Sequence, residues 1–180
     1  MDDRALVDAA IRGDQHAFEQ IVERETAGVF RACYRVLGRV HDAEDATQEA
    51  FVTAYRALGT FRGDGTLSAW LARIAVRVAL RAAIRRHEAL PIGDAAGAGL
   101  PAGDEDPADG ALEAERGRIV RAAVAGLPDP YREVVALRYF ADCSLVEIAR
   151  VTGRPLGTVK SHLHRGLSQL RQRLGVEVAA

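Results

Sequence analysis

Apolar positions in the first part of the chain recur at the three- and four-residue spacings of α-helices. Side chains at these spacings line one face of a helix, so the pattern predicts amphipathic helices. Breaks are expected near Gly13 and at Gly38. The recurring positions are Ala9, Ile11, Phe18, Ile21, Val22, Val29, Phe30, Tyr34 and Leu37.

Two more helices are predicted before residue 88. Asp42 and Asp45 are suited to cap the first of them and to place acids in its first turn, and Gly59 ends it. A loop with the sequence FRGDGTLS follows, and the second helix runs from about Ser68 to His87. The first part of the chain is therefore predicted to be helical throughout.

The stretch 88–111 differs from the sequence on either side of it. It contains LPIGDAAGAGLPAGDEDPADG, which is rich in Gly, Ala, Pro and Asp and has no hydrophobic periodicity. Such a composition predicts an unpacked linker. We therefore predict a helical domain over 1–87, a flexible acidic linker over 88–111 and a second helical domain over 112–176. In the second domain, helices are expected over 112–127 and 131–140.

A helix-turn-helix pattern completes the second domain. Ser144 and Glu147 have the spacing of a capping box that opens a helix, and Gly153 is suited to end it. A longer basic helix is predicted over 156–174. A short helix, a Gly-containing turn and a longer basic helix are typical of DNA-binding domains. The fold class expected is all-α.

Charge is distributed unevenly, although the net charge at pH 7 is only -1. Every formal charge between Asp64 and Glu88 is positive, and so is every one between Glu147 and Glu177. The stretch 88–115 carries acids and no Lys or Arg. Two basic blocks separated by an acidic segment favour a nucleic-acid partner that the average conceals.

The final helix is predicted to have an apolar stripe and a polar face. The stripe is formed by Val159, Leu163, Leu167, Leu170 and Leu174. Residues near the N-terminus of a recognition helix reach base edges, while Lys and Arg neutralise phosphates. The candidates for DNA contact are Thr158, Lys160, Ser161, His162, His164 and Arg165. An ordinary solvated face is the alternative interpretation.

Arginines spaced by four residues form a ladder on the helix that precedes the linker. They are Arg73, Arg77, Arg81 and Arg85. Like charges at this spacing cost a few tenths of a kcal/mol per pair, about the size of one helical ion pair. A polyanion would remove that cost, so the ladder favours phosphate binding over a plain solvated face. Trp70 is interpreted as a core anchor in preference to a base-stacking residue.

Several function classes are disfavoured by the residues. No apolar run approaches the roughly 18 residues of a membrane span, and the N-terminus MDDRALVDAA lacks a signal-peptide core. Cys33 and Cys143 match no metal-ligand spacing and suit buried thiols in a reducing cytoplasm. The histidines form no ligand motif, and no glycine-rich phosphate cradle is present. We expect a cytoplasmic protein that is not an enzyme and needs no cofactor or metal.

Two blocks of sequence resemble a known family. DAEDATQEAFVTAYRALGTFRGDGTLSAWLARIA resembles region two of the extracytoplasmic-function (ECF) sigma factors, and LPDPYREVVALRYFADCSLVEIARVTGRPLGTVKSHLHRGLSQLRQRL resembles their region four. The resemblance implies a sigma factor that binds core RNA polymerase and directs promoter-specific initiation. It also implies that the linker threads through polymerase and that an anti-sigma factor holds the protein inactive.

The resemblance further implies roles for individual residues. The polymerase clamp helices would contact Asp45, Gln48, Glu49 and Phe51. The minus-ten element of promoter DNA would be opened and read by Phe61, Arg62, Trp70, Arg73, Arg77 and Arg81. The minus-thirty-five element would be read in its major groove by the six candidates of the final helix, above all by Lys160, Ser161, His164 and Arg165.

Three positions depart from common usage in the family, and two other functions compete with the sigma-factor interpretation. Arg77, Arg81 and His162 stand where many relatives have other residues, which leaves the promoter sequence open. A helix-turn-helix regulator that binds DNA unaided would not need the QEAF, AYRAL and FRGDG segments. A purely protein-binding helical adaptor would not account for two separate basic faces.

Overall fold

The computed structural model of the chain describes residues 3–89 and 107–175, and all regular secondary structure within these ranges is helical. The elements are α1 (Asp3–Ile11), α2 (Gln15–Leu37), α3 (Val40–Ala57), a 3-10 turn (Leu58–Thr60), α4 (Leu67–Ala89), α5 (Pro107–Ala125), α6 (Tyr131–Tyr139), α7 (Leu145–Thr152) and α8 (Leu156–Leu174). The predicted all-α fold is confirmed.

Helices α1 to α4 pack around one apolar core in the first half of the chain. The long helix α2 lies against α1, α3 and α4, with Ile21 and Cys33 fully buried. Asp14 caps its start by accepting a hydrogen bond from the backbone N–H of Ala17 at 3.2 Å. Gly38 ends it in the left-handed conformation at φ 71°, which glycine adopts without steric cost. Both breaks were predicted.

The start of α3 differs from the prediction. The helix begins at Val40, and Arg39 occupies the N-cap position without a side-chain capping bond. Asp42 lies in the first turn, where its charge is favourable to the helix dipole, and it is ion-paired with Arg86 of α4. The expected capping by Asp42 or Asp45 is therefore wrong, since Asp42 serves a contact between helices instead.

Helices α7 and α8 form the helix-turn-helix, with α6 packed against both and α5 packed against α6 and α8. The capping box is present. Ser144 accepts from the N–H of Glu147 at 3.2 Å, and the Glu147 carboxylate accepts from the N–H of Ser144 at 2.8 Å. Gly153 ends α7 at φ 69°, and α8 has the predicted bounds. Local sequence was sufficient here, because caps act within one turn.

The predicted linker lies mostly outside the described residues. Where its ends are described, helix continues into them: α4 extends to Ala89, and α5 begins at Pro107 in place of the expected 112. Proline suits the first turn of a helix because its φ is already helical and its missing N–H needs no partner there. The domain boundaries themselves remain predictions.

Candidate nucleic-acid interface

The N-terminal half of α8 carries an exposed polar face opposite its buried stripe. Lys160, Ser161, His164 and Arg165 are all exposed. Val159 is fully buried on the other side of the helix. Among the described residues, no acid forms an ion pair with Lys160 or Arg165. Lys160 and Arg165 are therefore available to phosphates and base edges. The Ser161 hydroxyl donates to the carbonyl of Gly157 at 3.0 Å and can still accept a hydrogen bond.

Two of the six candidates on α8 are less exposed to solvent than the other four. Thr158 is half-buried, and the His162 ring packs edge-on against Tyr131 of α6 with centroids 5.6 Å apart. The Nδ1 atom of His162 is buried and has no hydrogen-bond partner among the described residues. Burial, followed by the charges of Arg154 and Arg165, lowers the pKa of His162. A neutral His162 that packs on α6 is a weaker candidate for direct DNA contact.

The arginine ladder lies on α4, as predicted, but acids from other helices meet it. Arg73 is half-buried, while Arg77, Arg81 and Arg85 are exposed. Arg85 lies 4.0 Å from the Glu49 carboxylate of α3. Arg73 and Arg77 both reach a carboxylate of α6. The repulsion along the ladder is therefore offset by tertiary contacts that helical spacing could not reveal.

That carboxylate belongs to Glu133, which is only 7% exposed. Arg73 Nε lies 3.2 Å and Arg77 Nε 3.6 Å from one oxygen, and Arg154 donates to the other at 2.8 Å. Burial alone would raise the pKa of Glu133. The hydrogen bond from Arg154 and the charges of Arg73 and Arg154 outweigh it, so the pKa is lowered. Glu133 is thus held as an anion among three guanidinium groups.

Trp70 and Phe61 form an aromatic pair at the base of the loop before α4. Their rings meet edge-on with centroids 5.7 Å apart, and Trp70 is 9% exposed. Arg62 is exposed in the same loop. A cleft of about 380 Å³ separates the loop from the C-terminal end of α7 at Arg150. Trp70 therefore acts first as a packing residue beneath the loop.

The predicted polymerase-contact residues lie on α3 in two different environments. Asp45, Gln48 and Glu49 are exposed, whereas Phe51 is 8% exposed and belongs to the core. Val52 and Tyr55, which the sequence prediction omitted, are about half exposed beside them. The spacing of Gln48, Val52 and Tyr55, four and then three residues, is a helical signal that could have found this apolar patch.

The comparisons with known proteins decide the family. Residues 21–89 match the family model described as Sigma-70 region 2, and residues 117–170 match Sigma-70, region 4. The chain is 37% identical to the ECF RNA polymerase sigma factor SigW of Bacillus subtilis, over 91% of each chain. The chain belongs to the ECF sigma factors. It is therefore a transcription initiation factor of the sigma-70 family and not an enzyme.

Two further comparisons extend the likeness over most of the chain. The RNA polymerase sigma-H factor of Pseudomonas aeruginosa is 35% identical, over 91% of this chain and 89% of its own. A solved structure of CnrH in complex with the cytosolic domain of CnrY has a TM-score of 0.62 and 27% identity, and covers 98% of this chain and 99% of CnrH. Helices α1 to α4 are called region 2, and helices α5 to α8 are called region 4.

Sequence reasoning did not find Glu133. A signal was present in the sequence, because this acid directly precedes the apolar pair Val134 and Val135, which are buried in α6. A carboxylate that is buried in such a helix needs cationic partners. The partners themselves are sixty positions before it and twenty-one after it, so only the folded chain identifies them.

Proposed function

We propose that this sigma factor reads the minus-thirty-five element with α8 and the minus-ten element with α4 and the loop before it. The observation that carries the proposal is the exposed cationic face at the start of α8, which no acid of the described ranges pairs with, in a helix-turn-helix of a sigma family member. Lys160 and Arg165 would bind phosphates or base edges in the major groove, with Ser161 and His164 between them. Thr158 and His162 would act at the edge of this face.

For the minus-ten element, the α4 arginines and the loop are the proposed contacts. Arg77 and Arg81 are exposed and one turn apart, which suits them to follow the phosphates of a separated strand. Arg62 extends from the loop beside the cleft. Phe61 and Trp70 would support the loop from below, and Arg73 would join the phosphate contacts once it is released from Glu133.

The proposed polymerase contact is the exposed face of α3. Asp45, Gln48 and Glu49 supply its polar part, and Val52 and Tyr55 supply an apolar part. A mixed surface of this kind suits a protein partner, because buried apolar side chains provide affinity and polar neighbours provide orientation. The partner proposed is the pair of clamp helices of core RNA polymerase, with Phe51 holding the helix from the core side.

Control by a second protein is also proposed. The solved structure of CnrH, similar over almost its whole length, is a complex with the cytosolic domain of CnrY. An anti-sigma factor that covers region 2 and region 4 would keep this chain from polymerase. The proposed site of action is the cytoplasm, and no helix within the described ranges is long and apolar enough to cross a membrane. Linker passage through polymerase concerns residues outside those ranges.

The test of the proposal is runoff transcription with purified core polymerase, with and without this protein. Polymerase-dependent initiation at a specific promoter is expected, and its absence would overturn the proposal. Lys160→Ala and Arg165→Ala should each reduce, by about ten-fold, the increase in runoff transcription that the minus-thirty-five element provides. Both variants should leave binding to core polymerase unchanged. If core binding fell equally, α8 would have been assigned to the wrong partner. Arg118→Ala, on the exposed face of α5, is the matched control.

A further inference from the structure

Helix α1 has no part in the function proposed above, yet its first residue contacts the start of the helix that carries the arginine ladder. Asp3 accepts a hydrogen bond from the backbone N–H of Leu67, the first residue of α4, at 3.0 Å. The first N–H groups of a helix have no partner within the helix, and a carboxylate beside them is favourable to the helix dipole. The two residues are sixty-four positions apart, so part of the cap of α4 comes from a different helix.

A second carboxylate holds the next residue of α4. Glu25 of α2 is 8% exposed and accepts a hydrogen bond from the hydroxyl of Ser68 at 2.7 Å. Arg24 joins the two acids, since its Nε donates to Glu25 at 2.9 Å and its Nη2 donates to Asp3 at 2.7 Å. Burial alone would raise the pKa of Asp3, but the hydrogen bonds from Leu67 and Arg24 outweigh it and lower the pKa. The connected group of Asp3, Arg24 and Glu25 is called the α4 anchor.

The α4 anchor lies at one end of the loop before α4, and the aromatic pair lies at the other end. Phe61 packs edge-on against Trp70 with centroids 5.7 Å apart. Thr66 supplies the local part of the helix cap, because its hydroxyl accepts from the N–H of Ala69 at 3.2 Å. Residues 62–64, in the middle of the loop, are exposed. A loop with fixed ends and an exposed middle is suited to present its side chains to a DNA strand.

Helix α1 also lies beside the turn of this loop. Gly63 has the left-handed conformation at φ 73°, and a Cβ placed on it would lie 3.6 Å from Nη1 of Arg4. Leu6 and Val7 of α1 are buried in the core of region 2. Because the core holds α1 in place, Asp3 has a fixed position from which to hold the start of α4.

We propose that Asp3 and Glu25 are positioning residues that hold the loop before α4 in the conformation that binds the minus-ten strand. This inference rests on the function proposed above for α4 and the loop. A loop that is ordered before binding loses less conformational freedom when DNA binds. A loop that adopts several conformations can also accept more than one base, because its contacts are no longer held in one geometry. Loss of the α4 anchor therefore weakens base preference at the minus-ten element.

The test is runoff transcription with core polymerase on a pool of templates that are randomised at both promoter elements, with a transcribed barcode that identifies each template. Asp3→Ala should reduce base preference at the minus-ten positions by about five-fold, the size of one lost helix cap. Preference at the minus-thirty-five positions should not change. A merely structural role would lower the yield from every template and leave both preferences as they are. Asp8→Ala, which removes an exposed carboxylate from the same helix, is the matched control and should keep both preferences.

A second measurement follows the hydrogen bond itself. Hydrogen exchange of the Leu67 amide, resolved by NMR in the full chain, should be about five-fold faster or more in Asp3→Ala than in the wild type. Asp3→Asn keeps an acceptor for this amide, so it should keep both the slow exchange and the minus-ten preference. Ser68→Ala removes the link to Glu25 at an exposed position where alanine suits the helix, and it should reduce minus-ten preference in the same direction. Thermal melts followed by circular dichroism should show that each variant remains folded.

Unchanged exchange of the Leu67 amide in Asp3→Ala would overturn the proposal. Faster exchange with an unchanged minus-ten preference would overturn it as well, and so would an Asp3→Asn variant as defective as Asp3→Ala. The function proposed above can fail separately. A wild type that never initiates refutes the promoter role and the positioning role together, whereas a wild type that initiates, with base preference unchanged in Asp3→Ala and Ser68→Ala, refutes only the positioning role.

Discussion

Gly166 lies on α8 where this helix packs closely against α6, and replacing it with alanine tests that packing. An added Cβ would lie 2.7 Å from Cγ2 of Val135 and 3.4 Å from Cβ of Tyr131. The first distance is too short for two carbon atoms, and Val135 is 1% exposed and cannot move into solvent. Overpacking of this kind costs about 1–3 kcal/mol.

A second effect opposes the clash. Alanine is favoured over glycine inside a helix by about 0.8–1 kcal/mol. The net change for Gly166→Ala should therefore be a loss of stability of about 0–2 kcal/mol. Gly28 provides the control, because it is exposed inside α2 and a Cβ there would meet nothing within 4 Å. Gly28→Ala should gain the helical preference alone.

Urea denaturation followed by circular dichroism measures both variants. The difference between their free energies of unfolding isolates the clash and should be about 1–3 kcal/mol. Adding Val135→Ala to Gly166→Ala removes the clashing methyl group, so a double-mutant cycle should give a coupling energy of about 1 kcal/mol. If Gly166→Ala stabilised the protein as much as Gly28→Ala, α6 and α8 would not pack as closely at Gly166 as the structure shows.

Two further predictions concern α7 and the thiols. Ser144→Ala should cost about 1 kcal/mol in urea denaturation. Hydrogen bonds from the side chain and backbone N–H of Ser144 lower the pKa of Glu147, so the stabilisation is present above the ordinary carboxyl pKa and is lost as the pH falls through the lowered value. The variant should therefore show a weaker loss of stability in acid, and an unchanged pH profile would contradict the capping role. Burial raises the pKa of Cys33 and of Cys143 to about 11, so neither thiol should react with an alkylating reagent at pH 8 until urea unfolds the chain; rapid alkylation of the folded protein would show that a thiol is accessible.

Where neighbouring residues control the outcome, prediction from sequence succeeded. The capping box at Ser144, the stop at Gly153 and the extent of α8 follow from interactions within a single turn. The exposed position of Lys160 and Arg165 also follows, because helical periodicity separates them from the buried stripe. The family resemblance rests on the same local segments and was confirmed by the comparisons.

Prediction was weaker wherever a residue's partner is remote in sequence. Asp42 looked like a cap and is paired with Arg86 across the bundle. The contact roles of Phe51 and His162 stay predictions, and the structure adds that Phe51 is buried and that His162 packs on Tyr131. Helical spacing gives the face on which a residue lies, whereas the neighbouring helix decides whether that face is covered.

The sequence by itself determined the helices, the capping box of α7, the glycine stops of α2 and α7, the basic ladder and the extent of α8, because each depends on residues a few positions apart. Only the tertiary structure decided which side chains contact the arginine ladder. Arg73 and Arg77 come from one region and Glu133 from the other, and no periodicity links positions sixty residues apart. Packing the two regions together gave Arg73 and Arg77 of this repulsive face a shared anionic partner, and the low exposure of Glu133 makes it dependent on those cations.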